Sequence, residues 1–293
     1  PVIVFLNGEY WGLYYLYEHY GEGYFLSHYK IDPNNLIILQ RDGDVFFGVP
    51  NDKEIYQELI DSINFQDVKN NDVYSEIINQ IDLENFLDYQ IIQIYIGHTD
   101  WPSKNVKFWR SRTSNNDPEA QTLNDGRWRW LLFDTDHGFS DFTVNGIEHA
   151  TSEKYPTTIL RGLISNNEFR TLFLNRFADH LNTTFQTERV IQEIDSIATT
   201  LEPEMQEQID RWHSSGKSME NWYNNAEYLR IFARKRPQIM IQDLINFFEL
   251  DGTFILNTIV KNGYLKINSI EILSITPGIH DPGSYHGIYF QNI

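Results

Sequence analysis

An α+β fold, mainly helical over its second half, is what this sequence predicts, on three observations. The chain opens on a β-hairpin: residues 2–6 and 10–17 are strand-like and flank Asn7-Gly8, a dipeptide that accepts the positive φ of a tight turn. From 157 to about 248, apolar residues recur at helical spacing. After Leu250 the texture changes to short β-like runs at 253–259, 263–267 and 270–275, separated by Gly, Asn and Pro.

The elements between follow the same logic. After Gly21 and Gly23 the pattern turns helical through Tyr24, Phe25 and Tyr29. A strand at 36–40 leads into the turn Asp42-Gly43, and residues 53–63 and 73–81 carry apolar side chains at helical spacing. Asp82 is a good N-cap for a longer helix through Phe86, Leu87, Ile91, Ile94 and Tyr95 that stops at Gly97. Pro102 makes 98–105 a loop, 106–110 a strand follows, and the polar stretch 111–126 is a loop or long turn. A strand at 127–133 then enters the core and stops at Asp134. The later helices are expected at 158–164, 167–181, 188–213 and 219–248, with Pro203 breaking the third and Pro237 kinking the fourth.

Composition narrows the function. The 293 residues are 41% hydrophobic and 15% aromatic, enough to fill a sizeable core. A formal net charge of −18 repels nucleic-acid backbones and anionic membranes, and favours basic proteins or divalent cations. With no cysteine, disulfides, Cys-ligated zinc and thiol catalysis are excluded. No apolar run reaches the roughly 20 residues that span a bilayer, so membrane insertion is not expected. The chain starts at Pro1 with a strand already under way, which leads to the expectation of a fragment whose N-terminus lies upstream.

Chemistry concentrates between Asp82 and Phe139. Phosphoryl transfer from ATP needs one carboxylate at the acceptor hydroxyl, and a carboxylate and an amide at the metal bridging the phosphates. Protein kinases supply these from an H-R-D-x-x-x-x-N loop and a D-F-G turn joined by a hairpin. Here His98-Thr99-Asp100 is followed, after the same four-residue gap, by Asn105, and the buried strand ends in Asp134-Thr135-Asp136-His137-Gly138-Phe139. On the residues alone, Asp100 and Asn105 also read as loop formers, and Asp134 and Asp136 as strand-end turn formers.

These stretches resemble the CotH spore-coat kinase family. The resemblance covers residues 2 to about 250 and rests on Asn7-Gly8-Glu9-Tyr10-Trp11-Gly12-Leu13-Tyr14, Glu18, the His98–Asn105 loop, the run from Trp128 to Phe139, Arg211-Trp212 and residues 234–237. It implies a divergent protein-kinase-like fold with a partial small lobe and a mainly helical large lobe over 1–250, followed by the start of a β-rich module at 251–293. It implies transfer of the ATP γ-phosphate, with Mg²⁺ or Mn²⁺, to Ser or Thr of proteins. Asp100 would be the catalytic carboxylate, and Asn105 would support the metal or the catalytic loop. Asp134 would bind metal and nucleotide, Asp136 would be a second ligand, and Glu18 would lie near the adenine. A basic, Ser-rich protein substrate and an extracellular or cell-surface setting come from the same resemblance. The Ser/Gly-rich phosphate-gripping stretch of such domains falls upstream of Asn7, and no G-x-G-x-x-G is present.

Other residues have plainer readings. His98 is expected to hydrogen-bond backbone, His137 to be structural, and Glu9, Arg211 and Arg234 to be solvated. The tyrosines at 10, 14, 15, 17, 20 and 24 are expected in core or interlobe packing, and Asn182-Thr183-Thr184 is a chance N-glycosylation triplet. A catalytically inactive scaffold and a carbohydrate-active protein stay open as alternatives, the latter because glycosidases also need paired carboxyls.

Overall fold

A computed structural model describes residues 1–113, 123–154, 156–212, 217–276, 279, 281 and 283–293. Its centre is an antiparallel sheet in the order β4-β3-β5-β6, built from β3 (Leu36–Gln40), β4 (Asp44–Phe47), β5 (Lys107–Ser111) and β6 (Arg129–Leu131). Strand β3 reads as an unbroken apolar run because both its faces are covered. Ile37 and Leu39 join Phe108, Trp128 and Trp130 in the main core, while Leu36, Ile38 and Trp109 pack on Phe25 of α1 (Glu22–Tyr29).

Helices α2 (Asp52–Phe65), α3 (Asn71–Ile78) and α4 (Leu83–Tyr95) follow the hairpin of β3 and β4. Asp82 caps α4 as expected, accepting from the Asn85 amide at 3.2 Å, and also binds Arg129 at 2.9 Å. The Asn85 side chain extends the β6 edge, accepting from Trp130 N at 2.6 Å and donating to Trp130 O at 3.2 Å. The N-terminal end of α4 is thereby locked to β6. Part of the expected 111–126 loop, residues 114–122, lies outside the described residues.

Beyond the sheet come α5 (Gly146–Thr151), α6 (Thr158–Ile164), α7 (Asn167–Asn182), α8 (Thr187–Trp212) and α9 (Met219–Phe248). Residue 213, the expected end of α8, lies outside the described residues. Pro203 does not break α8, which runs through it. A proline removes the hydrogen bond to the carbonyl four residues earlier, and both Thr199 and Pro203 are exposed, so that carbonyl is not left in the core. Helix α9 runs through Pro237, where the carbonyl freed at Ala233 accepts from Thr187 Oγ1 at 3.2 Å.

The opening hairpin, β1 (Val2–Leu6) and β2 (Glu9–Tyr14), forms its own two-stranded sheet. Strand β2 lies against α8: Leu13 N donates to Gln208 Oε1 at 2.9 Å, and Trp11 meets Trp212 edge to face. Gly12 has a φ of 139°, a conformation that L side chains rarely adopt, which is why this position takes glycine. Tyr14, Tyr15 and Tyr17 are exposed, contrary to the expected core packing, because strand β2 stops at Tyr14 and only its α8 side is covered. Arg211, expected to be solvated, stacks instead over Trp11 and Trp212.

The last segment docks on α7. Strands β7 (Thr253–Ile259) and β10 (Ser284–Phe290) pair antiparallel, and β8 (Leu265–Ile267) pairs with β9 (Ile270–Ile272). Buried Asp179 accepts from Ser269 N at 2.9 Å and from the Ser269 hydroxyl. The Asn182 amide bonds both Ile288 N and Ile288 O at 2.9 Å, which completes the β10 edge and commits the side chain of the Asn-Thr-Thr triplet.

Arg236 on α9 is fully buried, with 0% exposure. Its guanidinium donates to Tyr95 O at 2.6 Å and Ile94 O at 2.8 Å, and to Phe142 O at 2.9 Å and Val144 O at 2.6 Å. The first two are terminal carbonyls of α4, which have no partner within the helix. Gly146 lets α5 press on the same place, since a Cβ there would run into the Ile94 carbonyl. Arg236→Met should lower unfolding stability by about 3–5 kcal/mol, because several buried acceptors lose their donor. Arg236→Lys should not restore it, since an ammonium cannot reproduce the planar fork. Urea unfolding of both variants is the check.

Candidate functional site

Two chain segments leave the core side by side. Helix α4 runs into the loop 98–105, and β6 runs into the turn 134–139, with Ile81 and Trp128 bridged in parallel at the start of both paths. The turn is tied to the helix end, where Phe139 N donates to Ile96 O at 2.8 Å. The loop is tied to the turn, where Asn105 Nδ2 donates to Asp134 O at 3.1 Å. Asn105 and Asp134 both have positive φ, 56° and 51°, a region that Asn and Asp tolerate better than most residues.

Under this junction lies His98, buried, with Nδ1–H donating to Gln93 Oε1 at 2.7 Å. The expected backbone partner is replaced by a side chain one turn back on α4. Burial pushes the His98 imidazole below its ordinary pKa; Asp100, Asp136 and Asp134 pull the other way, and His137 reinforces burial. These three carboxylates are therefore close enough to share one electrostatic environment with the ring. Asp100 is partly exposed, with Lys104 Nζ at 3.7 Å from its carboxylate, while Asp134, Asp136 and His137 are exposed.

An open cleft of about 840 Å³ spreads outward from the turn. Asp134, Thr135 and Asp136 form one wall, and the stretch from Leu16 to Tyr20 with Tyr24 forms the other. Glu18 faces this cleft and accepts from His28 Nε2–H at 2.8 Å. The structure thus brings Glu18, Asp134 and Asp136 to one cleft, with Asn105 hydrogen-bonded to its wall; Asp100 is not part of the lining.

Lys107 also lines the cleft and was missed by sequence reasoning. Its Nζ lies 4.0 Å from the centre of the Phe46 ring and 4.8 Å from that of Phe133, and burial lowers its pKa. Among the described residues no carboxylate comes within salt-bridge distance of it. The one available signal was a lysine interrupting the apolar run Val106-Lys107-Phe108-Trp109.

Among the described residues, no group of three or more His, Cys, Asp or Glu side chains converges as a metal site. The oxygen donors of Asp134 and Asp136 fit a different arrangement. Mg²⁺ is commonly held by one or two carboxylates, with substrate phosphates and water completing its octahedron. Asn105 spends its amide N–H on the turn rather than on a ligand.

The lowered pKa of His98 has a defined sign. As pH falls, the unfolded chain takes up the proton first, near the ordinary value of 6.5. The contribution of His98 to stability is present above about 6.5 and is lost as the pH falls toward the lower folded value. Imidazole ¹H–¹⁵N spectra should show a neutral, Nδ1-protonated ring at neutral pH with a midpoint below 6.5. A midpoint above that value would contradict the burial argument.

A comparison with curated proteins finds no match. A family model described as CotH kinase protein matches residues 1–240. That match takes in the opening hairpin, the loop and turn that meet at His98, both walls of the cleft and the buried Arg236, and the chain belongs to the CotH kinase protein family.

Proposed function

We propose that this chain is a metal-dependent protein kinase that transfers the γ-phosphate of ATP to Ser or Thr side chains of surface or secreted proteins. The observation that carries the reading is the cleft where Glu18, Lys107, Asp134 and Asp136 meet, with the Asp100 loop tied to its inner wall. On this reading residues 1–250 are the kinase unit. The β1–β2 hairpin and the stretch to Tyr24 belong to the small lobe, the helices form the large lobe, and 251–293 form a separate β-rich unit.

Each side chain then has a task. ATP lies in the cleft with its adenine toward Glu18 and Tyr24, and Lys107 offers its ammonium to the nucleotide. Asp134 and Asp136 would hold Mg²⁺ or Mn²⁺, which would neutralise charge on the phosphate oxygens. Asp100 accepts the proton of the acceptor hydroxyl. The hydroxyl oxygen bonds to the γ-phosphorus, the bond from that phosphorus to the β,γ-bridging oxygen breaks, and ADP leaves. Asn105 acts as a positioning residue: its hydrogen bond to Asp134 O sets the distance between loop and turn.

Transfer of label from [γ-³²P]ATP to a basic Ser-containing protein, with Mg²⁺ or Mn²⁺, tests the reading. Asp134→Ala and Asp100→Asn should each lower transfer at least about 100-fold without unfolding, since neither side chain is buried. Lys107→Met should weaken ATP binding in calorimetry while leaving the fold intact. No label from folded wild-type protein with either metal would shift the reading to a non-catalytic scaffold.

A further inference from the structure

A second cavity, an apolar groove of about 420 Å³, starts at Asp136, Gly138 and Phe139 and runs between α8 and α9. Its walls are two helical stripes. Ile194, Ile197, Ala198 and Leu201 of α8, at i, i+3, i+4 and i+7, face Trp222, Ala226 and Leu229 of α9, at i, i+4 and i+7, each set on one helix face. Such stripes normally lie in a core. Here α8, 26 residues long, has no fully buried side chain, and Ile197 is 58% exposed. Apolar surface of this kind, continuous and at the edge of a reaction centre, is characteristic of a recognition site.

Charge indicates the occupant. Helix α8 carries seven carboxylates and two arginines. One end of the groove opens on Asp136, and at the other Glu202, next to Leu201, accepts from Tyr223 OH at 2.6 Å and stays exposed. An acidic mouth and an acidic far end around an apolar floor complement a segment with a bulky apolar residue flanked by Lys or Arg. We propose that the α8–α9 groove docks a polypeptide substrate through a Leu, Ile, Phe or Trp side chain between basic residues, with the acceptor hydroxyl a short distance along the chain toward Asp136. The proposal rests on the kinase reading for the word substrate, and on the groove alone for the binding.

The test separates the two. Fluorescein-labelled Lys/Arg-rich Ser peptides, one with a single Leu and one with Ala in its place, are titrated against the whole chain by anisotropy without nucleotide. The Leu peptide should bind about tenfold tighter. In Ile197→Glu, and separately in Leu229→Glu on the facing wall, the two peptides should bind alike. Both positions are exposed, so circular dichroism and melting should match wild type. Ile197→Leu should keep the preference. Equal binding of the peptides to wild type, or an undiminished preference in both charged variants, overturns the proposal. So does concentration-dependent self-association abolished by Ile197→Glu, which assigns the groove to a second copy of the chain. Selective binding without phosphate transfer keeps the docking site and removes the kinase reading; transfer without selectivity does the reverse.

Discussion

One buried cation holds the centre of this molecule in shape. The Arg236 guanidinium reaches the last carbonyls of α4 and two carbonyls of the 142–144 segment, and so ties together two elements that also pack directly at Gly97 and Gly146. A positive charge suits the C-terminal end of a helix, where unpaired carbonyls concentrate partial negative charge. Burial makes the arrangement costly unless every donor is used, and Asp141 and Asp243 lend electrostatic support from nearby. A neutral side chain could fill the volume but not supply the donors.

The consequence for the cleft is geometric. Helix α4 is held at its N-terminal end by Asp82–Arg129 and Asn85–Trp130, and at its C-terminal end by Arg236. The loop after α4 and the turn after β6 therefore start from fixed points. Two further bonds, Phe139 N to Ile96 O and Asn105 Nδ2 to Asp134 O, are enough to align them. At this junction Asp100 is partly exposed and Asp134 and Asp136 are exposed, while His98 and Arg236 behind them are buried. A site built this way places its charges on rigid ends of secondary structure, the condition under which positioning contributes to rate.

Helices α8 and α9 serve a different purpose from the core helices. Arg230 of α9 pairs with Asp195 of α8 at 2.7 Å at the surface, and an exposed pair of this sort adds little to stability. Helix α8 is held at one end by the Trp11–Arg211–Trp212 stack and leaves an apolar stripe open along its middle. The opening hairpin and the groove thus share α8, and the groove and the cleft meet at Asp136.

Local signals were legible in the sequence wherever the physics is local. The Asp82 cap, the apolar stripe of α4 and the stop at Gly97 depend on residues within a few turns of one another, and so does the turn at Asn7-Gly8. The order of Asp100, Asn105 and Asp134 could be read for the same reason. Strands β4, at four residues, and β10, after a Gly- and Pro-rich stretch, fell below what alternation can reveal, as did the short α5. Tertiary packing alone decided the rest. Arg236 meets carbonyls up to 142 positions away, Thr187 rescues the carbonyl that Pro237 frees, and Lys107 reaches the cleft between rings from two other strands' ends. Hydrogen bonds and ring contacts over such separations leave no periodicity along the chain, because each partner is chosen by proximity in space and not by its place in a repeat.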